Sequence, residues 1–413
     1  MAKILCSEDE IKRFPSNSFD EFKKEMDDME EAYRWVTYPT KDALYIPLPD
    51  NPIYVNILRN EMPVSENPKD TRKVVVSEDV SNDTLCEKMQ TTKACLSFPE
   101  DGKFTTYPVG ETAIRGIYER VGLACVAMTS QVTNSRRQEA SPYAKGLAYD
   151  ALRGYSKGNT LLRIGDEQII GCLSEEYKII SIPQAVECVK KSLEEKFEYV
   201  SFREGIISRE TTSVDFVFED YDLQRSVRYT LSKIGINIDF SLHVKIMTSD
   251  VGLSGCNLFT YISGDKGFIL PIGLPLKMEH VGDASIEKLK KNTETIFESF
   301  VGQDELIDKM SSIKVDNPAD AVYNIGKKAG IVEKILRDGS EEFDSEFPFS
   351  CKGTDVFFKL FEIYSKHSAT GKYSDLALMQ AMENITRACI SNMSKFDMPV
   401  VKDGKVTGIS AAA

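Results

Sequence analysis

Two stretches of this 413-residue chain carry residue types that could do chemistry. The first is "TSDVGLSGCNLF", residues 248–259, followed by "LPIGLPLKMEH", residues 270–280. A strand that ends in Thr248, Ser249 and Asp250 and turns through Gly252 and Gly255 presents hydroxyls, a carboxylate and open backbone N–H groups at one rim. Strand alternation in the second segment sets Lys277 and Glu279 opposite Leu276 and Met278, with His280 at the end. If the segments pair, Asp250, Glu279 and His280 converge with Lys277 beside them. They would then act as acid and base, or Asp250 and Glu279 would hold a hard cation such as Mg or Mn. The competing reading is an Asp-stabilised turn and a surface ion pair, with Gly252 or Gly255 supplying positive φ.

The second stretch spans residues 134–163, "NSRRQEASPYAKGLAYDALRGYSKGNTLLR". Arg136, Arg137, Lys145, Arg153, Lys157 and Arg163 face only Glu139 and Asp150, a net +4 in a chain of −13. Tyr143, Tyr149 and Tyr155 are interleaved at six-residue steps. Cations for phosphates and aromatic faces for bases are what a single-strand binding surface needs, with Tyr149 and Tyr155 as stacking residues. Tyrosines packed inward beneath solvated Lys and Arg would give the same pattern.

Other chemistries have no signature. The chain has no phosphate-binding G-x-x-x-x-G-K-[ST], no G-x-G-x-x-G after a strand and no H-E-x-x-H. Ser254 lies in "GLSGC", which lacks the glycine a hydrolase elbow needs two places after its serine. Only His243, His280 and His367 are available for histidine-dependent steps. Nine cysteines without a C-x-x-C pair argue for reduced thiols and against a zinc site. No apolar run reaches membrane-spanning length, and "MAKILCSEDEIKR" lacks the apolar stretch of a signal peptide. A soluble protein of a bacterial host cytoplasm is expected, and the charge of −13 excludes a general coat for duplex DNA.

The elements that must position these residues read as α+β. "SFDEFKKEMDDMEEAYRW" predicts a helix capped by Ser18, and "TAIRGIYERVGL" a shorter one. Between them, prolines and polar breaks read as irregular structure with a few strands. "TLLRIG", "QIIGCL", "YKIIS", "EYVSF", "EGIISRE" and "TTSVDFVFE" predict strands, with a helix at "PQAVECVKKSLEEKF". In "INIDFSLHVKIM" the even-numbered residues from Ile236 to Ile246 are apolar and the odd-numbered ones polar up to Lys245. That pattern predicts a half-buried central strand, Phe240 included, whose polar face lines a groove or meets water, the second being the commoner case. After "LKMEH" the pattern is helical, with "RDGSEEFDSE" as an acidic loop. The expected organisation is an acidic helix and irregular region over 1–105, an α+β core with a mainly antiparallel sheet over 106–282, and a helical region over 283–413.

"LLRIGDEQIIGCLSEEYKII", with Arg163, Ser174 and Tyr177, together with "TSDVGLSGCNLF" and "LPIGLPLKMEH", resembles the phage/plasmid-like protein family described as domain of unknown function 932. The resemblance spans roughly residues 110–370. It implies a protein of mobile genetic elements and marks Arg163, Ser174, Tyr177, Ser249, Asp250, Lys277, Glu279 and His280 as positions to watch. The function expected is a part in nucleic-acid transactions, such as single-strand binding in replication or recombination. A metal-assisted hydrolase or nuclease on Asp250, Glu279 and His280, and a non-catalytic host-interaction protein, are the alternatives.

Overall fold

The computed structural model describes residues 11–47, 62–63, 73–76, 92, 94–100, 103–120, 158–208, 211–233, 237–264, 269–272, 274–301, 303–368, 375–391, 393–402 and 405–406. Along the chain, β1 (Lys12–Pro15) leads into α1 (Phe19–Ala32), then β2 (Arg34–Pro39), β3 (Leu44–Pro47), β4 (Ala94–Glu100), β5 (Lys103–Pro108) and α2 (Glu111–Arg120). The middle of the chain forms β6 (Asn159–Gly165), β7 (Gln168–Ser174), α3 (Ile182–Lys196), β8 (Tyr199–Ile207), β9 (Thr212–Glu219) and α4 (Tyr221–Lys233). Next come β10 (Phe240–Thr248), β11 (Cys256–Gly264), β12 (Ile269–Pro271) and β13 (Leu276–Met278). The helices α5 (Ile286–Val301), α6 (Gln303–Ser311), α7 (Pro318–Ala329), α8 (Glu333–Glu346), α9 (Gly353–Ser368) and α10 (Asp375–Ser391) follow.

The architecture is α+β around an antiparallel sheet ordered β1, β8, β9, β10, β11, β12, with β13 also paired to β11. A smaller antiparallel sheet orders β2, β6, β7, and β4 pairs β3 and β5 in a third. The amino-terminal helix is not separate from the core. Its Phe22 is fully buried, Phe19 lies 5.2 Å from Phe202 of β8, and β1 forms an edge of the central sheet. The carboxy-terminal helices share that core through Val322, Leu336, Phe357, Phe361 and Ile385.

β10 lies between β9 and β11, near the centre of its sheet as the alternation predicts. Leu242, Val244 and Ile246 are buried against Val214, Phe216 and Phe218 of β9. Two details differ from the pattern. Phe240 opens the strand and is only half-buried, with the Arg228 guanidinium 5.4 Å from its ring centre. The opposite face is only partly open to water: His243 is 1% exposed and Met247 is buried, while Ser241 and Lys245 are half-buried.

Three further expectations are corrected by packing. Ser18 sits at the helix start, but its hydroxyl donates to Pro15 O at 2.7 Å and does not cap. "YKIIS" is not a strand but an irregular segment held to His280, with Lys178 N donating to His280 O at 2.7 Å and Lys178 O accepting from His280 Nδ1 at 3.0 Å; Ser181 then caps α3 by accepting the Gln184 N–H. The acidic "RDGSEEFDSE" is helical, inside α8, with Leu336, Gly339, Ser340 and Phe343 turned inward. Gly339 is there for proximity: a Cβ would stand 2.5 Å from Ile363 Cδ1 of α9. α4 has no counterpart in the strand-and-helix reading, although Asp220 marks its start by accepting the Leu223 N–H at 2.8 Å. α7 starts at Asn317 and Pro318, but the Asn317 side chain does not cap it; the Asp397 carboxylate accepts the N–H groups of Asp316 and Asn317.

Candidate functional site

The two segments of the first stretch do pair. β13 lies against β11 with Cys256 opposite Met278, Asn257 opposite Lys277 and Leu258 opposite Leu276. The approach depends on Gly255, where a Cβ would stand 2.6 Å from Met278 O. The rim loop turns at Gly252, which has a φ of +79°. Its local N–H groups are taken by Ser249, whose Oγ accepts from Val251 N at 3.4 Å and Leu253 N at 3.3 Å. Asp250 is thereby released from the turn.

Its carboxylate turns to Arg163 on β6. Arg163 Nε donates to Asp250 Oδ2 at 2.9 Å, and Nη1 donates to Tyr33 O at 2.9 Å. The guanidinium lies 4.8 Å from the Trp35 ring centre and 5.5 Å from that of Tyr33. This corrects two expectations. Arg163 is 5% exposed and holds a carboxylate, a carbonyl and two aromatic faces, so it is no surface cation for phosphate. Asp250 does not join Glu279 and His280: among the described residues no group of three His, Cys, Asp or Glu could hold a metal ion. The Mg or Mn expected on Asp250 and Glu279 therefore has no larger ligand group to sit in among the described residues, and Asp250 Oδ2 is already taken by the Arg163 guanidinium.

Lys277, Glu279 and His280 do come together, in the wall of a cleft of about 420 Å³. Glu383 of α10 holds Lys277 at 2.7 Å, so that ammonium is engaged. Tyr177 and Ser174, marked by the resemblance, also line the cleft. The Tyr177 ring stacks on the His280 imidazole at 4.7 Å, and its hydroxyl donates to Ser249 O at 3.0 Å.

His280 Nδ1 donates to Lys178 O at 3.0 Å, leaving Nε2 to accept the Thr248 hydroxyl at 3.4 Å. Burial pulls its pKa below the ordinary histidine value, and the bond to Lys178 O and the charges of Asp250 and Glu279 only partly oppose this. The imidazole is a neutral hydrogen-bonded wall of the cleft. A folded pKa below the unfolded one means that the unfolded state takes up the proton first as pH falls. The stability from neutral His280 is therefore complete above the unfolded value of about 6.5 and declines as pH drops towards the folded pKa. Thermal melts at pH 7.5 and 5.5 should show a drop that His280→Gln reduces; an equal drop in both proteins would remove His280 as its source.

The residues missing from the sequence reading are Asn257 and Arg120. Asn257 is 7% exposed, and its Nδ2 donates to Ser254 Oγ at 2.8 Å while its buried Oδ1 has no partner among the described residues. Arg120, the last residue of α2, likewise has a buried Nε without a partner among the described residues. Both line the cleft. Asn257 was in plain view in "SGCNLF", but only strand pairing shows which face it takes. Arg136, Arg137, Lys145, Tyr149, Arg153, Tyr155 and Lys157 lie outside the described residues. The chain leaves the described residues at Arg120, in the cleft wall, and returns at Gly158, two residues before Thr160 pairs with Ser174 of the same cleft.

No family model, curated protein or solved structure matches the chain. Among the described residues, no helix is long and apolar enough to cross a membrane.

Proposed function

We propose that the cleft takes one nucleotide unit of a single-stranded nucleic acid, as part of a role in nucleic-acid transactions such as replication or recombination. The observation that carries this reading is a pair of buried atoms without a partner among the described residues, on two residues that line one cleft: an acceptor at Asn257 Oδ1 and a donor at Arg120 Nε. Buried polar atoms are normally satisfied, so two of opposite kind call for a ligand that offers both an N–H and an anionic oxygen. A nucleotide offers a base edge and a phosphate. Pockets for ligands of this size run from about 300 to 1,000 Å³, and this one lies within that range. Residues 134–162, at a net +3 without the buried Arg163, support the same ligand class.

The test is fluorescence anisotropy with a labelled oligothymidylate across a salt series, with competition by mononucleotides. Three or four phosphate contacts at about −0.7 each give an expected log–log slope of about −2 to −3. Replacing Arg136, Arg137 and Lys145 together with Ser should flatten it. Asn257→Leu should weaken binding by about 1 kcal/mol with the slope intact, the worth of one hydrogen bond. Absence of binding at low salt would sink the proposal, and binding indifferent to both Asn257→Leu and Arg120→Gln would remove the cleft from it.

A further inference from the structure

The face of β10 that carries His243 holds a second constellation, away from the cleft. His243 Nδ1 lies 3.1 and 3.2 Å from the two carboxylate oxygens of Asp215 on β9, and Nε2 lies 2.7 Å from Ser263 Oγ on β11. An ionised carboxylate only accepts, so Nδ1 carries the proton, and Nε2 accepts the Ser263 hydroxyl. Tyr261 fixes the other end: its hydroxyl donates to Asp215 Oδ2 at 2.5 Å and its ring stacks on the imidazole at 4.4 Å. The sheet sets this register. Val217 and Tyr261 stand opposite His243, while Asp215 and Ser263 each lie two residues along, on diagonals that side chains of one face can span.

Burial gives the relay a direction. Asp215 and His243 are 4% and 1% exposed, whereas Ser263 is half-buried, one residue from the end of β11. Among Asp215, His243, Tyr261 and Ser263, the hydroxyl-bearing Ser263 is the most exposed. A nucleophile bonded to a base, with the base oriented by a buried carboxylate, is the arrangement that activates serine on unrelated folds.

We propose that Ser263 is a base-activated nucleophile towards acyl esters, with His243 as general base and Asp215 as its positioning residue. Ser263 Oγ attacks the ester carbonyl carbon as its proton passes to His243 Nε2. The bond from that carbon to the alcohol oxygen breaks, and the alcohol leaves with the proton from Nε2. Water, deprotonated by the same nitrogen, then releases the acid and restores the hydroxyl. This site is independent of the nucleotide reading, since neither Ser263 nor His243 lines the cleft.

A relay that served packing alone would hold the imidazole equally well, so the test reads covalent chemistry. The full chain is treated with an alkyl fluorophosphonate, which transfers its phosphonyl group to an activated serine with loss of fluoride, and the product is followed by intact mass and peptide mapping. One adduct on Ser263 is expected, absent from Ser263→Ala. In His243→Gln and Asp215→Asn its rate should fall at least about 100-fold, the usual contribution of general-base assistance. Circular dichroism establishes that each variant is folded. If the two relay variants fail to fold, the wild-type map decides alone: an adduct at Ser263 supports the proposal, while no adduct, or one at another serine, overturns it. An unchanged rate in folded His243→Gln overturns it as well.

Discussion

Arg163→Ala should destabilise the protein by about 3–5 kcal/mol, the range for breaking a buried ion pair by removing one partner. The side chains of Arg163 and Asp250 are 6% and 19% exposed, so water reaches the abandoned carboxylate poorly. The loss also leaves Tyr33 O without its donor and the Trp35 and Tyr33 rings without their cation. Urea unfolding of the wild type and the variant measures it. The double variant Arg163→Met, Asp250→Leu should regain part of the loss, since removing both charges also removes the cost of burying one alone. A loss below about 1 kcal/mol for Arg163→Ala would match a hydrated surface pair and contradict the geometry.

Phe216→Ala should cost about 3–5 kcal/mol as well, by a different cause. Phe216 is fully buried in β9, with the Phe19 and Phe202 ring centres at 6.4 and 6.5 Å. Truncation there loses transfer energy and opens a cavity between two elements that cannot both close on it. Phe240→Ala, at the half-buried first residue of β10, should cost clearly less. Denaturation of the two variants side by side checks the packing of the central sheet, and equal costs would mean that Phe240 is buried as deeply as Phe216.

What the sequence disclosed follows from how local each signal is. The alternation from Phe240 to Ile246 and the helical pattern after "LKMEH" each report the period of single elements, and the strand and the helices are present. The pairing of "TSDVGLSG" with "LPLKMEH" was legible because short turns and small residues bring neighbouring segments together. Partners far apart in sequence were not. Asp250 finds Arg163 87 residues away, and the start of α7 finds Asp397 80 residues away from Asn317. His243 was read as facing water for the same reason, because nothing local announces Asp215 and Ser263 on the adjacent strands.

Trp35 is the chain's single tryptophan. Its ring lies beneath the Arg163 guanidinium and 5.7 Å from Tyr177, whose own ring forms part of the cleft wall. The protein therefore carries one optical probe at the joint between its ion pair and its cleft. Excitation at the red edge of indole absorption isolates that one site, and its emission maximum reports water entry when the Arg163 pair opens. A change in intensity without a wavelength shift reports movement of Tyr177 alone. Unfolding and cleft occupancy are thus distinguishable spectroscopically in the unlabelled chain.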